Sequence, residues 1–148
     1  MSKLLEIPLE TTHRIRDSCL CLHAQRAARS LARRFDEALR PLGLTNGQFS
    51  LLASLNRPAP PAMGAVAALL AMDRTTLTAA LKPLERRGLV AVAPDPADGR
   101  SRRIALTAKG RRLLGRALPL WERTHAAVEG QLEGADPEAL RRGLRTLT

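Results

Sequence analysis

The chain has 148 residues, enough for one domain with an ample core, and its apolar runs all fall short of the ~18 residues that a membrane span needs. It carries 24 Lys and Arg against 14 Asp and Glu, a formal charge of +10 that points to polyanionic partners. The first twenty residues lack a signal-peptide core, and two cysteines two residues apart do not make a secreted disulfide framework, so a cytoplasmic protein is expected.

In chain order, residues 1–10 read as a loose arm. A long helix is expected from about Thr12 to Arg40, because Leu20, Ala24, Ala27, Leu31, Phe35, Ala38 and Leu42 recur at helical steps. Pro41 and Gly43 end it. Thr45-Asn46-Gly47-Gln48 is a capping-box pattern that opens a short helix through about Leu55, with Phe49, Leu52 and Leu55 as core. Arg57-Pro58-Ala59-Pro60-Pro61 breaks the chain and leaves room for a very short strand. Ala65 to Leu70 forms the first helix of a helix-turn-helix, with Ala71-Met72 as its turn.

Asp73 is a good N-cap, since its carboxylate can accept from the free N–H groups of the next turn. Leu77, Leu81 and Leu84 follow as one apolar stripe. Arg74, Thr75, Thr76, Thr78, Lys82 and Arg86 lie largely off that stripe. Pro83 sits inside the same helix, where it removes one backbone hydrogen bond, and Gly88 is placed to end it. A β-prone run at 89–92, a turn from Pro94 to Gly99 and a second strand from Arg102 to Leu106 make a hairpin. Thr107 caps a helix to about Gly130, interrupted by Pro119. Asp136 with Pro137 at the first helical position starts a last helix, striped by Leu140, Leu144 and Leu147.

Charge follows this layout. Residues 73–112 hold ten basic and four acidic residues, so +6 of the total +10 lies in that stretch. Of the basic residues in the chain 21 are Arg, as a GC-rich coding sequence favours, but base composition does not explain the clustering. A helix followed by a basic hairpin suits DNA: the helix enters the major groove and the hairpin tip meets the backbone or minor groove.

Here the sequence resembles a known family. D-P-A-D-G-R-S-R-R-I-A-L-T-A-K-G (Asp95 to Gly110) is similar to the wing signature of the MarR family of bacterial repressors. G-L-T-N-G-Q-F-S-L-L (Gly43 to Leu52) is similar to its second helix, and L-L-A-M-D-R-T-T-L-T to the join into its recognition helix. The resemblance covers roughly residues 15–135. It implies a mainly α fold with a small antiparallel β-wing: a winged helix-turn-helix lobe over 45–106, with helices 12–42 and 107–148 forming a homodimer. It also implies a pseudo-palindromic operator in double-stranded DNA, repression, and release by a small organic effector.

Residue roles follow. Arg74, Thr75, Thr76 and Thr78 are candidates for base reading, as Arg suits guanine and a Thr methyl packs on thymine. Lys82 and Arg86 suit phosphates. Arg100, Arg102 and Arg103 form the wing, with Asp98 expected to brace Arg100 through a charge-assisted bond. Cys21 stands 22 residues before Gly43, a spacing that resembles the reactive cysteine of the peroxide-sensing branch of the family. Those sensors hold their cysteine ready with tyrosines, and this chain has none. On one helix Cys19 and Cys21 point about 200° apart and should not pair; buried, inert sulfur is the plainer expectation. Cys19 and His23, one turn apart, lack a third metal ligand. Without phosphate-cradling Gly-rich loop, H-E-x-x-H or G-x-S-x-G motifs, no enzyme activity, cofactor or metal is expected. A nonspecific basic nucleic-acid-binding protein is the other class that the charge permits.

Overall fold

The computed structural model describes residues 5–148, so residues 1–4 of the expected N-terminal arm lie outside the described residues. The chain divides into two compact units, residues 1–34 and 35–148.

The first unit is helical but not one helix. α1 spans Leu9–Ser18 and α2 begins at Leu20 and runs to Leu39, into the second unit. Cys19 separates them with an extended backbone (φ −72°, ψ 109°). The apolar periodicity across this point is real, but periodicity cannot register one residue leaving the helical basin. Helix starts at Leu9, inside the segment expected to be loose. Leu9, Ile15 and Leu20 are exposed in the single chain.

The second unit holds the core. A 3-10 turn at Arg40–Leu42 ends α2, and Gly43 takes φ +64°, the left-handed conformation glycine accepts at no steric cost. The Thr45 side chain accepts from the Gln48 N–H while Gln48 reaches back to the Thr45 N–H, so the capping box starts α3 (Asn46–Ser54). α4 (Met63–Leu69) and α5 (Arg74–Arg86) are the helix-turn-helix. The turn between them contains Ala71 at φ +52°, which is unusual for a residue with a Cβ.

β1 (Val90–Pro94) and β2 (Arg102–Leu106) pair antiparallel in a register that sets Val90 opposite Leu106 and Pro94 opposite Arg102. The short strand expected at 57–61 amounts to a single bridge one residue later, Ala62 to Arg103, beside a bond from the Ile104 N–H to the Pro61 carbonyl. The proline run cannot donate to a longer ladder. α6 (Ala108–Gly130) and α7 (Pro137–Arg145) complete the chain. Thr107 and Asp136 cap them as expected, the former accepting from the Gly110 N–H and the latter from the Glu138 N–H.

Leu39, Leu51, Leu52, Leu77, Leu81, Leu84, Leu89 and Ile104 are almost fully buried and form one cluster with Val66, Leu114 and Ala117. Stripe residues of α5 supply the central part, which fixes which face of that helix is left for solvent. Pro83 does not break α5: the helix continues to Arg86, and the Arg87 N–H bonds the Pro83 carbonyl at 3.1 Å. Gly110 lets α6 approach the wing. A Cβ there would overlap the Leu89 carbonyl oxygen and lie 2.8 Å from Leu106 Cδ1.

Candidate nucleic-acid interface

The start of α5 is built by its cap. Asp73 Oδ1 accepts from the Thr76 N–H at 2.7 Å and Oδ2 from the Thr76 hydroxyl at 3.0 Å. Those bonds, the Thr76 N–H first and its hydroxyl second, hold the Asp73 carboxyl below the usual aspartate range. Thr76 is thereby tied to the cap, and the Thr78 hydroxyl donates to the Arg74 carbonyl at 2.8 Å. Both hydroxyls are therefore engaged with the helix itself, which leaves the methyl groups, the parts expected to pack on thymine, to be offered. Thr75 is exposed.

Arg74 is exposed, and its guanidinium lies over Gly64 of α4: a Cβ on Gly64 would stand 3.2 Å from Arg74 Nη2. The side chain thus reaches back across the turn, which glycine at 64 permits. Farther along α5, Lys82 and Arg86 are exposed. Thr78, Leu81, Lys82 and Glu85 share a cleft of about 300 Å³ with Val92 and Arg102, so the helix and the wing meet in one surface depression.

The wing departs from expectation in its bracing. Asp98 Oδ1 accepts from the Arg100 main-chain N–H at 3.0 Å, not from the guanidinium. The charge pair is Asp95 with Arg103: Nε donates to Asp95 Oδ2 at 2.9 Å, and Nη1 donates to the Pro60 carbonyl at 3.0 Å. Asp95 also accepts from the Ala97 N–H at 2.9 Å, and this bond first, with Arg103 after it, lowers its carboxyl pKa. The register explains the exchange. Arg103 sits opposite Ala93, two residues before Asp95, whereas Arg100 lies out at the tip. Arg103 is a structural residue of the wing base, and Arg100 and Arg102 are its exposed cations. Among the described residues Arg74, Lys82, Arg86, Arg100 and Arg102 have no acidic side chain within salt-bridge distance.

Several contacts had no signal in sequence spacing. Asp36 Oδ1 accepts from the Asn46 N–H at 2.6 Å and from its side-chain amide at 2.8 Å, which lowers the Asp36 carboxyl pKa and ties the end of α2 to the start of α3. Arg87 donates to the Gly43 carbonyl at 2.7 Å and to that of Leu42 at 3.3 Å. Lys109 donates to the Arg87 carbonyl, and Arg111 to Asn56 Oδ1 at 2.6 Å. Part of the local charge therefore fastens the lobe and is not all displayed for a partner.

The cysteines are not buried. Cys21 is exposed in the single chain and Cys19 half-buried. Cys19 lies in the break between helices, so the expected 200° helical separation does not apply. Cys21 Sγ accepts from Gln25 Nε2, and Cys19 Sγ from the Leu22 N–H, each at 3.4 Å. His23 Nδ1 lies 2.8 Å from the Cys19 carbonyl oxygen, a main-chain contact. His125 stacks on Trp121 with ring centroids 4.8 Å apart, and Trp121 stacks in turn on Phe49. Among the described residues no single helix is long and apolar enough to cross a membrane.

A capped helix set over a helix-turn-helix core, beside a two-stranded basic wing, defines a winged-helix DNA-binding regulator. The MarR family's sequence profile matches residues 42–101. The chain is 44% identical to the transcriptional regulator MosR of M. tuberculosis in its complex with DNA, with 88% of this chain and 93% of that one covered at a TM-score of 0.79. It is 31% identical to the transcriptional repressor CouR bound to a 23-mer DNA duplex, covering 96% and 98% at a TM-score of 0.78. CouR from Rhodococcus jostii RHA1 has also been solved bound to p-coumaroyl-CoA, at 26% identity, 88% and 90% coverage and a TM-score of 0.71. The transcriptional activatory protein BadR of Rhodopseudomonas palustris is 39% identical over 77 residues, 50% of this chain, and the match spans 44% of BadR's length. The chain belongs to the MarR family of transcriptional regulators.

Proposed function

We propose that the protein is a homodimeric, sequence-specific repressor whose α5 reads the major groove of a pseudo-palindromic operator and whose wing contacts the flanking backbone. The observation that carries this is the set of cations without acidic partners on α5 and the wing: Arg74, Lys82, Arg86, Arg100 and Arg102. A protein charge that nothing local balances is the electrostatic footprint of phosphate binding. Arg74, at the first position of α5, is the base-reading candidate, with Thr75 and the Thr76 and Thr78 methyl groups beside it; Lys82, Arg86, Arg100 and Arg102 contact phosphates.

Dimerisation through helices within 12–42 and 107–148 is supported by their uncovered leucines. Leu20 in the first unit, and Leu140, Leu144 and Leu147 at the end of the second, are exposed in the single chain, as surfaces awaiting a partner are. Release by a small organic effector is supported by the acyl-CoA ligand of CouR. The ligand-bound relative favours this reading over the thiol alternative at Cys21.

Selection of bound duplexes from a random pool tests the reading. One palindromic consensus, bound by a dimer orders of magnitude tighter than random duplex, is expected. Enrichment of no sequence, or equal binding of structured RNA, would leave only a nonspecific basic protein.

A further inference from the structure

We propose that Ala71 is a positioning residue for DNA recognition: its methyl group confines the turn between α4 and α5 and so fixes the angle at which the recognition helix is presented. This deepens the reading of α5 above and rests on it. The turn is a Schellman motif. The Met72 N–H donates to the Ala67 carbonyl at 2.9 Å and the Ala71 N–H to that of Ala68 at 3.2 Å, the two bonds that close such a helix end. α5 ends in the same way: the Leu89 N–H donates to the Leu84 carbonyl and the Gly88 N–H to that of Glu85, each at 2.9 Å. The motif needs a left-handed residue, and α5 has Gly88 there at φ +69°, whereas α4 has Ala71 at φ +52°. Gly43 and Gly134 fill the other left-handed positions, so among the described residues Ala71 alone carries a Cβ in that conformation.

Core packing does not account for the alanine. Ala71 is exposed, so its methyl group adds nothing to the buried cluster. At positive φ a Cβ acts by exclusion. An L-residue finds only the small left-handed helical region there, while glycine also enters the extended region on the same side. Val66 and Ala67 before the turn and Leu77 after it are buried, and the Asp73 cap holds the start of α5, so the turn is not free to relieve its strain by opening. Within the packed lobe Ala71 is therefore held in one backbone well. Through it the chain bends by 102° from α4 into α5.

The bend matters more to bases than to phosphates. Thr78 lies about 10 Å along from the turn, so a tilt of about 5° displaces it by about 0.9 Å. Contacts to base edges need their geometry within about 0.5 Å. The long side chains of Lys82 and Arg86 follow a phosphate through such a shift. A confined turn thus serves base reading and leaves the charge-driven part of binding unaffected.

Wild type, Ala71→Gly and Ala71→Asn are compared for affinity to the selected operator and to random duplex by fluorescence anisotropy, with urea midpoints alongside. Asparagine keeps a Cβ yet tolerates the left-handed region. Ala71→Gly should lower operator affinity at least about fivefold and leave random-duplex affinity within about twofold of wild type. Its urea midpoint should be no lower than that of wild type, since glycine takes positive φ without a Cβ clash. Ala71→Asn should keep the ratio of operator to random affinity within about twofold of wild type. The proposal is overturned if Ala71→Gly keeps the wild-type ratio, or if Ala71→Asn loses it as Ala71→Gly does. A lower urea midpoint for Ala71→Gly also overturns it, by making the alanine a stabilising residue only. Absence of operator preference in wild type defeats the base-reading role of α5 and this proposal with it, whereas wild-type preference with an unchanged ratio in Ala71→Gly defeats this proposal alone.

Discussion

Replacing Arg100 and Arg103 separately by alanine distinguishes a cation that meets DNA from one that holds the wing together. Arg100 is exposed at the wing tip with only its main-chain N–H engaged, by Asp98. Arg103 has committed its guanidinium to Asp95 and the Pro60 carbonyl. Each phosphate contact contributes about 0.9 to the slope of log affinity against log salt, so losing one contact from each half of a dimer lowers the slope by about 1.8. Between 50 and 200 mM salt the logarithm of concentration changes by about 0.6. Wild type should therefore lose about twelvefold more affinity over that range than Arg100→Ala. Arg103→Ala should weaken binding by loosening the wing base, with a salt slope within about 0.3 of wild type. Fluorescence anisotropy with the selected operator and a scrambled duplex at several salt concentrations measures both. The reasoning is refuted if Arg103→Ala flattens the slope as much as Arg100→Ala, or if Arg100→Ala leaves it unchanged.

Arg74→Ala should relax preference at one base position per half-site at a cost of about 1–3 kcal/mol; an equal loss on every base, read by competition among single-base operator variants, would make it a phosphate contact. Gly110→Ala should destabilise by about 1–3 kcal/mol through overlap with the Leu89 carbonyl and Leu106. Gly115→Ala, in the same helix with open space around it, should stabilise by about 0.5–1 kcal/mol. Urea midpoints at one protein concentration compare the two, and equal midpoints would contradict the close approach. Leu140→Asp/Leu144→Asp should shift the dimer towards monomer in sedimentation, and an unchanged dimer would place the interface elsewhere. Asp36, Asp73 and Asp95 have folded-state pKa values lowered by the bonds they accept. Their contribution to stability is complete above the unfolded value of about 3.9 and is lost as pH falls through the lower folded values. Urea midpoints should thus fall below about pH 4, and Asp73→Asn, which keeps a capping side chain, should flatten that acid limb.

Much of the lobe was legible because its signals are local. A cap, a stripe and a stop each act within a few residues, so Asp73, the Leu77–Leu81–Leu84 stripe and Gly88 mark α5 without reference to the rest of the chain. The capping box at Thr45 and the caps at Thr107 and Asp136 are of the same kind. The wing's cations were also legible, since an unbalanced charge on a turn has few structural uses. The division of labour among those cations belongs to tertiary structure. Arg103 and Arg100 differ by three positions, yet the β1–β2 register and the Pro60 carbonyl, 43 residues away, decide that the first braces and the second is displayed. Asp36 with Asn46, and Arg87 with Gly43, join residues that no periodicity links. The break at Cys19 is a choice of one backbone basin that the flanking helical pattern does not encode. Sequence determined the elements and the sign of the surface, because propensity and charge are properties of short segments. Tertiary structure decided which charged group is used for holding and which for binding, because a hydrogen bond forms only where folding brings donor and acceptor within about 3 Å.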